Sequence, residues 1–172
     1  MSERSVALLR GINVGGKNRL AMKDLQQIFL DLGCSKVTTY IQSGNVVFET
    51  GTASLTTLAN ATRSAIESRH GLRVPVIVRT ASAWRAVIAA NPYQDLERLH
   101  VVFLEAPPAN ADALDPDRSP GDTFHVSGAE IYLHTPNGLA DTKLTNAYFD
   151  SKLKTISTVR NWRTVLEIEK LL

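Results

Sequence analysis

Across residues 1–80 the hydrophobic pattern changes period in the order strand, helix, strand, strand, helix, strand, which few topologies accommodate. Val6-Ala7-Leu8-Leu9 is a continuous apolar run. Met22, Leu25, Ile28, Phe29 and Leu32 then recur at helical spacing, closed by Gly33. Lys36–Ile41 and Val46–Glu49 are β-branched and aromatic runs joined by Gln42-Ser43-Gly44-Asn45, the pattern of a hairpin. A second helix is expected over Ser54–Arg69, with Leu55, Leu58, Ala61, Ala65 and Ile66 on one face and His70-Gly71 at its end. Val74–Val78 supplies a fourth strand.

With right-handed crossovers this order gives an α+β, ferredoxin-like half with an antiparallel sheet of strand order 4-1-3-2. Composition agrees with that order. Strands 1 and 3 are central in it and are the continuous apolar runs. Strand 2 carries Thr38, Thr39 and Tyr40, and strand 4 carries Pro75, which a sheet accepts mainly at an edge.

The rest of the chain repeats much of this pattern. A helix over Ser82–Ala90 stops at Asn91-Pro92, and His100–Leu104 reads as a strand. A short helix is expected near Ala109–Leu114, then a loop over Asp115–Asp122. Thr123–Ser127 and Glu130–His134 form a hairpin around Gly128-Ala129, where glycine at the first central position suits a type II′ turn. In that register Phe124, Val126, Ile131 and Leu133 share a buried face, and Thr123, His125, Tyr132 and His134 share an outward, solvated one, with base stacking as the alternative. A helix is expected from about Asp141 and a last amphipathic helix over Thr158–Leu171. The expectation is therefore two related halves, 1–80 and 81–172, the second lacking its closing strand and ending on a helix.

Residues Arg10–Asn18, R-G-I-N-V-G-G-K-N, directly follow the first strand and precede a helix. Glycines allow positive φ and close backbone approach, and a helix start adds unsatisfied N–H groups and a positive dipole end, so the segment points to a phosphate or carboxylate site. Gly11-x4-Gly16-Lys17 has the spacing of a P-loop, but Asn18 replaces the hydroxyl residue that would hold magnesium, and the hairpin that follows argues for an antiparallel sheet. A glycine turn that holds nothing is the plainer reading.

In the ferredoxin-like order strands 1 and 2 are parallel, so their following loops share one rim. Arg10, Gly11, Asn13, Gly15, Gly16, Lys17 and Asn18 would converge there with Gln42, Ser43 and Asn45, and the loop holding His70 and Arg73 reaches the same end. Two cations and several amides suit a phosphate or a base edge. Alternatively, the asparagines are turn formers that satisfy their own backbone. Lys143, Thr145 and Asn146, and later Arg160, Asn161 and Arg163, repeat the chemistry of cation, hydroxyl and amide. Arg160 and Arg163 are expected in the first turn of the last helix, where the dipole calls for a nearby anion, and Trp162 is expected in the core. One possibility is that Arg160 and Asn161 complete the first half's site; the other is a private ion pair.

A chain of 172 residues with 44% hydrophobic content can bury a real core. The formal charge of +2 and pI near 8.8 are far from those of a duplex-gripping protein, so nucleic-acid binding is expected to be weak at most. Cys34 is the only cysteine, which excludes an internal disulfide and fits a reducing cytoplasm, and it is read as a packing residue. No apolar stretch approaches membrane-spanning length, and the N-terminus enters a strand without an apolar leader. The four histidines lack metal-ligand spacing, and no catalytic constellation or cofactor can be nominated.

The segments L-L-R-G-I-N-V-G-G-K-N, T-Y-I-Q-S-G-N-V-V-F, K-L-T-N and T-V-R-N-W-R-T-V resemble a bacterial family known as domain of unknown function 1697, over nearly the whole chain. The resemblance implies ferredoxin-like halves and brings no activity, cofactor or partner with it. It marks Arg10, Gly11, Asn13, Gly15, Gly16, Lys17, Gln42, Ser43, Gly44, Asn45, Lys143, Thr145, Asn146, Arg160, Asn161 and Trp162 as candidate positions. Cys34 departs from the family, whose members tend to have an aromatic residue there. Three functions stay open: a binding module for a phosphate-bearing small molecule or nucleic-acid end, an enzyme acting on a nucleotide-like substrate, and a scaffold without a small-molecule site. The sequence leaves the oligomeric state undetermined.

Overall fold

A computed structural model describes residues 3–172. Residues up to Arg85 together with Ile168–Leu172 make one compact unit, and Ala86–Glu167 make the other. The first unit follows the expected order, with β1 (Arg4–Leu9), α1 (Met22–Asp31), β2 (Ser35–Tyr40), β3 (Asn45–Glu49), α2 (Leu55–His70) and β4 (Val76–Thr80). Its antiparallel sheet runs β2-β3-β1-β4, the expected order read from the other edge. β4 starts two residues later than the sequence suggests, because Val74 and Pro75 lead into the strand.

Alternation along the strands turns Ala7, Leu9, Val46, Phe48 and Val76 onto the face covered by Leu25, Ile28 and Phe29 of α1 and by Leu58 and Ile66 of α2. The Phe29 and Phe48 rings meet there with centroids 5.0 Å apart. Val6, Leu8, Val47 and Ile77 on the opposite face are buried as well, which is why β1 and β3 read as unbroken apolar runs. Ser54 caps α2 by accepting the Thr57 N–H, and Gly71, at φ 67°, ends it in a left-handed cap.

After α3 (Ala81–Ala89), the second unit holds β5 (Leu99–Leu104), β6 (Thr123–Ser127), β7 (Glu130–His134), α4 (Asn146–Leu153) and β8 (Ser157–Asn161), and α5 (Trp162–Glu169) follows. Its sheet order, β6-β7-β5-β8, matches that of the first. The closing strand is therefore present, contrary to the expectation from sequence. Ser157–Asn161 pairs antiparallel with β5, and the apparent helical stripe beginning at Thr158 merges this strand with a shorter helix. Thr158 and Val159 are β-branched and suit the pleated sheet. The helix expected near Ala109–Leu114 is a single 3-10 turn over Ala111–Ala113, and the one expected from Asp141 starts at Asn146, behind a 3-10 turn at Leu139–Asp141.

The hairpin Thr123–His134 falls where the sequence puts it. Gly128 has φ 59° while Ala129 keeps a negative φ, consistent with a type II′ turn. Both sheets tie their central strand in the same way at the same end. Leu9 N–H donates to Gly44 O and Arg10 N–H to Pro75 O, at 2.9 and 3.1 Å; Leu104 N–H donates to Ala129 O and Glu105 N–H to Ile156 O, both at 2.8 Å. Matched sheet orders and matched strand-end bonds make these two copies of one βαββαβ plan, with the first helix reduced to a turn in the second copy.

Candidate functional site

The glycine-rich segment after β1 folds as a miniature β-hairpin. Asn13 N–H donates to Asn18 O at 3.1 Å, Lys17 N–H donates to Val14 O at 3.0 Å, and Val14 and Lys17 form an isolated antiparallel bridge. Gly15 and Gly16, at φ 58° and 73°, make the two-residue tip; positive φ at both positions is the type I′ requirement. The glycines thus make a chain reversal, with four residues between Lys17 and the first helix. α1 begins only at Met22, and its N-cap position, Ala21, has no side-chain cap bond.

Asparagines hold this hairpin to its base. Asn13 Nδ2 donates to Leu20 O at 2.9 Å and Gln42 O at 2.8 Å, while its Oδ1 accepts the Leu20 N–H at 2.9 Å. Asn18 Nδ2 donates to Gly11 O at 3.0 Å. Asn45 is fully buried and donates to Tyr40 O and Ser43 Oγ, closing the β2–β3 turn. These bonds bring the loops after β1 and β2 together, as the topology requires, and Arg10 N–H on Pro75 O adds the approach to β4. Asn13 is thus engaged through both amide atoms, and Asn45 is closed to solvent. Gly44 is as tightly placed: a Cβ there would lie 2.8 Å from both Ile12 Cδ1 and Leu9 Cβ.

What the rim exposes is cationic and apolar. Lys17 and Arg19 are exposed, Arg10 is half-buried at the hairpin base, and Arg10 to Lys23 contains no carboxylate; exposed Lys23 and Asp24 stand side by side in the first turn of α1. Val14 is 63% exposed on the hairpin, and Ile41, 51% exposed at φ 50°, stands on the neighbouring turn beside exposed Gln42. Arg73, expected near this rim, pairs with Glu67 at 3.0 Å.

The candidates in the second unit have local structural partners. Thr145 Oγ1 accepts the Tyr148 N–H and caps α4, Asn146 Oδ1 accepts from Ser157 Oγ at 3.0 Å, and Lys143 N–H donates to Ser119 Oγ at 3.1 Å. Ser119 Oγ in turn donates to Asp122 Oδ2 at 2.6 Å, in a buried pair. Asn161 Oδ1 accepts the Thr164 N–H at 2.8 Å and caps α5. Arg160 lies in β8 and not in a helix. Burial lowers its pKa to about 10, and Nη1 donates to Thr158 Oγ1 and Val159 O at 2.8 and 2.9 Å. Trp162 is buried, as the sequence suggests.

The outward face expected for the second hairpin is only partly outward. Tyr132 is buried with its hydroxyl on Val87 O, and burial raises its pKa to about 12. Tyr93 lies parallel to the His134 ring, with centroids 5.5 Å apart, and donates to Thr123 Oγ1, so the chain's own tyrosine occupies the stacking position beside His134. His134 also bonds Asp95 at 2.8 Å, which holds that carboxyl below its usual range. Asn91-Pro92-Tyr93 reads in sequence only as a helix stop. Cys34 is a buried thiol whose pKa is pushed up by burial, consistent with packing. Among the described residues no helix is long and apolar enough to cross a membrane.

The chain is similar in structure to the conserved bacterial protein SP0830 from Streptococcus pneumoniae, with a TM-score of 0.76 and 22% identity over 99% of each chain, a likeness in fold. No curated protein is detectably similar to it in sequence. The family model described as "Protein of unknown function (DUF1697)" matches residues 2–132. The motifs on the first unit's rim lie inside that span, and the chain belongs to this family of proteins of unknown function.

Proposed function

We propose that the first unit is a binding module whose Arg10–Lys23 rim takes a phosphate-bearing ligand, either a nucleotide-like small molecule or the phosphorylated end of a nucleic acid. The observation that carries this reading is a projecting hairpin with a two-glycine tip and charge of one sign: Lys17 and Arg19 exposed, Arg10 at the base, no carboxylate between Arg10 and Lys23. Lys17 and Arg19 supply the charge contacts, Gly15 and Gly16 allow close backbone approach, and Gln42 and Ser43 flank the ligand. Gly11, Asn13, Asn18 and Asn45 shape the rim, whereas Lys143, Thr145, Asn146, Arg160 and Asn161 serve the second unit's own structure. So small a cation set releases few counterions, which keeps binding to nucleic acid weak and salt-sensitive. We assign this activity to a reducing cytoplasm, a reading that a chain with one cysteine and so no internal disulfide supports.

Thermal unfolding with millimolar ATP, ADP, tripolyphosphate or sulfate tests the proposal. A ligand bound only by the native state at ten times its Kd adds about 1.4 kcal/mol of stability and raises the melting temperature. Lys17→Ala with Arg19→Ala, both at exposed positions, should abolish the rise. No rise with any of these compounds, or a rise that survives the double substitution, would overturn the assignment.

A further inference from the structure

The second unit buries two polar atoms that its own chain leaves unpaired. His100 Nδ1 and Thr135 Oγ1 are each closed to solvent with no hydrogen-bond partner, and Thr135 is 0% exposed. Register brings them to one place. His100 pairs with Leu133 and Leu99 with His134, and one step beyond the strand ends Thr135 N–H donates to Arg98 O at 3.0 Å. Alternation along β5 and β7 then puts His100 and Thr135 on the face that carries Val102, Ile131 and Leu133. They are diagonal neighbours on adjacent strands, about 7–8 Å apart at the backbone, a span that two side chains and one small molecule close.

The chemistry selects that molecule. In the neutral ring His100 Nδ1 donates or accepts according to the tautomer, and in either form it needs a partner that its own chain does not supply. Thr135 Oγ1 can donate and accept. An anion would be buried beside two neutral groups with no charge to balance it, and a metal ion would find too few ligands in one imidazole and one neutral hydroxyl. Water donates and accepts at once, and buried waters in proteins typically serve such paired groups.

We propose that one ordered water sits between the start of β5 and the end of β7, hydrogen-bonded to both His100 Nδ1 and Thr135 Oγ1. It links β5 to the turn after β7, where Gly138 N–H bonds Thr135 O at 3.0 Å. Three results are expected. A high-resolution crystal structure of the whole chain shows a solvent peak within hydrogen-bond distance of both atoms. Thr135→Ser retains the peak and the melting temperature, whereas Thr135→Val loses the peak and lowers the melting temperature. The His100 Nδ1 nitrogen resonance differs between the wild type and Thr135→Val, because the variant loses the water. A dry site in the wild-type crystal, or a Thr135→Val protein as stable as wild type, overturns the proposal. If Thr135→Val does not fold, the wild-type density still decides it.

Discussion

Asn161 Oδ1 accepts the Thr164 N–H at 2.8 Å, and this bond starts the last helix. Thr80 Oγ1 accepts the Ala83 N–H at 3.1 Å in the same three-residue reach at the end of β4. Sheet register makes the two residues equivalents: Thr80 is paired with Ser5, Asn161 with His100, and Ser5 and His100 occupy matching places in β1 and β5. A polar residue that ends the fourth strand and opens the next helix is thus part of the repeated plan. It accounts for Asn161 without a ligand.

Asn161→Ala should cost about 1 kcal/mol, the usual worth of an N-cap, with Asn161→Asp or Asn161→Ser retaining most of it. Denaturant unfolding read by circular dichroism measures the difference. A variant with unchanged stability would show that the helix start is held by other contacts.

Glycine substitutions on the first rim should separate by packing rather than by φ alone. Gly15→Ala meets open space at φ 58° and should cost about 1–2 kcal/mol from backbone strain. Gly44→Ala has φ 84° and also drives a methyl group to within 2.8 Å of Leu9 and Ile12, so it adds overpacking of about 1–3 kcal/mol. Equal losses at the two positions, measured as midpoint shifts in urea, would contradict this ranking.

Much of the fold is legible in the sequence because each element of the first unit carries one clear period. Leu25, Ile28 and Phe29 mark a helix face, Pro75 marks an edge, and Gly128-Ala129 marks a two-residue reversal. β8 is hidden because Ser157–Asn161 abuts α5 with no glycine or proline between them, so Val159, Trp162, Val165 and Leu166 form a continuous helical stripe across a strand–helix junction. The meeting of the loops after β1 and β2 is legible in the topology, and the partners of their asparagines are not. Asn13, Asn18 and Asn45 have the composition of a polar site, yet their amides face backbone carbonyls, which no local pattern distinguishes from facing a ligand. Tyr93 on His134 is a tertiary contact between residues far apart in sequence and leaves no periodic signal.

Acid should destabilise the protein first through His100. Burial lowers its pKa below the ordinary value of 6.5 more than the Arg98 backbone bond raises it. The unfolded chain therefore takes up a proton that the folded one resists. The histidine's contribution is intact above about pH 6.5 and is lost as pH falls below it toward the folded pKa. Glu3, Asp31 and Asp95 also have lowered pKa values, but their ordinary values of 4.5, 3.8 and 3.8 put their losses at lower pH. Unfolding free energy measured from pH 7.5 to 5 should decline, and His100→Gln should flatten the decline. An equally steep decline in the variant would place the acid sensitivity elsewhere.

Arg160 separates a structural cation from a ligand-binding one. It is buried in β8, burial holds its pKa near 10, and it stays protonated at neutral pH with Nη1 on Thr158 Oγ1 and Val159 O. Arg160→Ala removes a large buried side chain and leaves its acceptors underused, at a cost of about 2–4 kcal/mol to the free protein. Arg160→Lys recovers only part, because one ammonium cannot reproduce the geometry of a guanidinium. The phosphate-induced rise in melting temperature should persist in both variants, because Lys17 and Arg19 carry the charge contacts on the first rim. If Arg160→Ala leaves the free protein as stable as wild type and abolishes that rise, Arg160 belongs to the ligand site and its role in β8 is secondary.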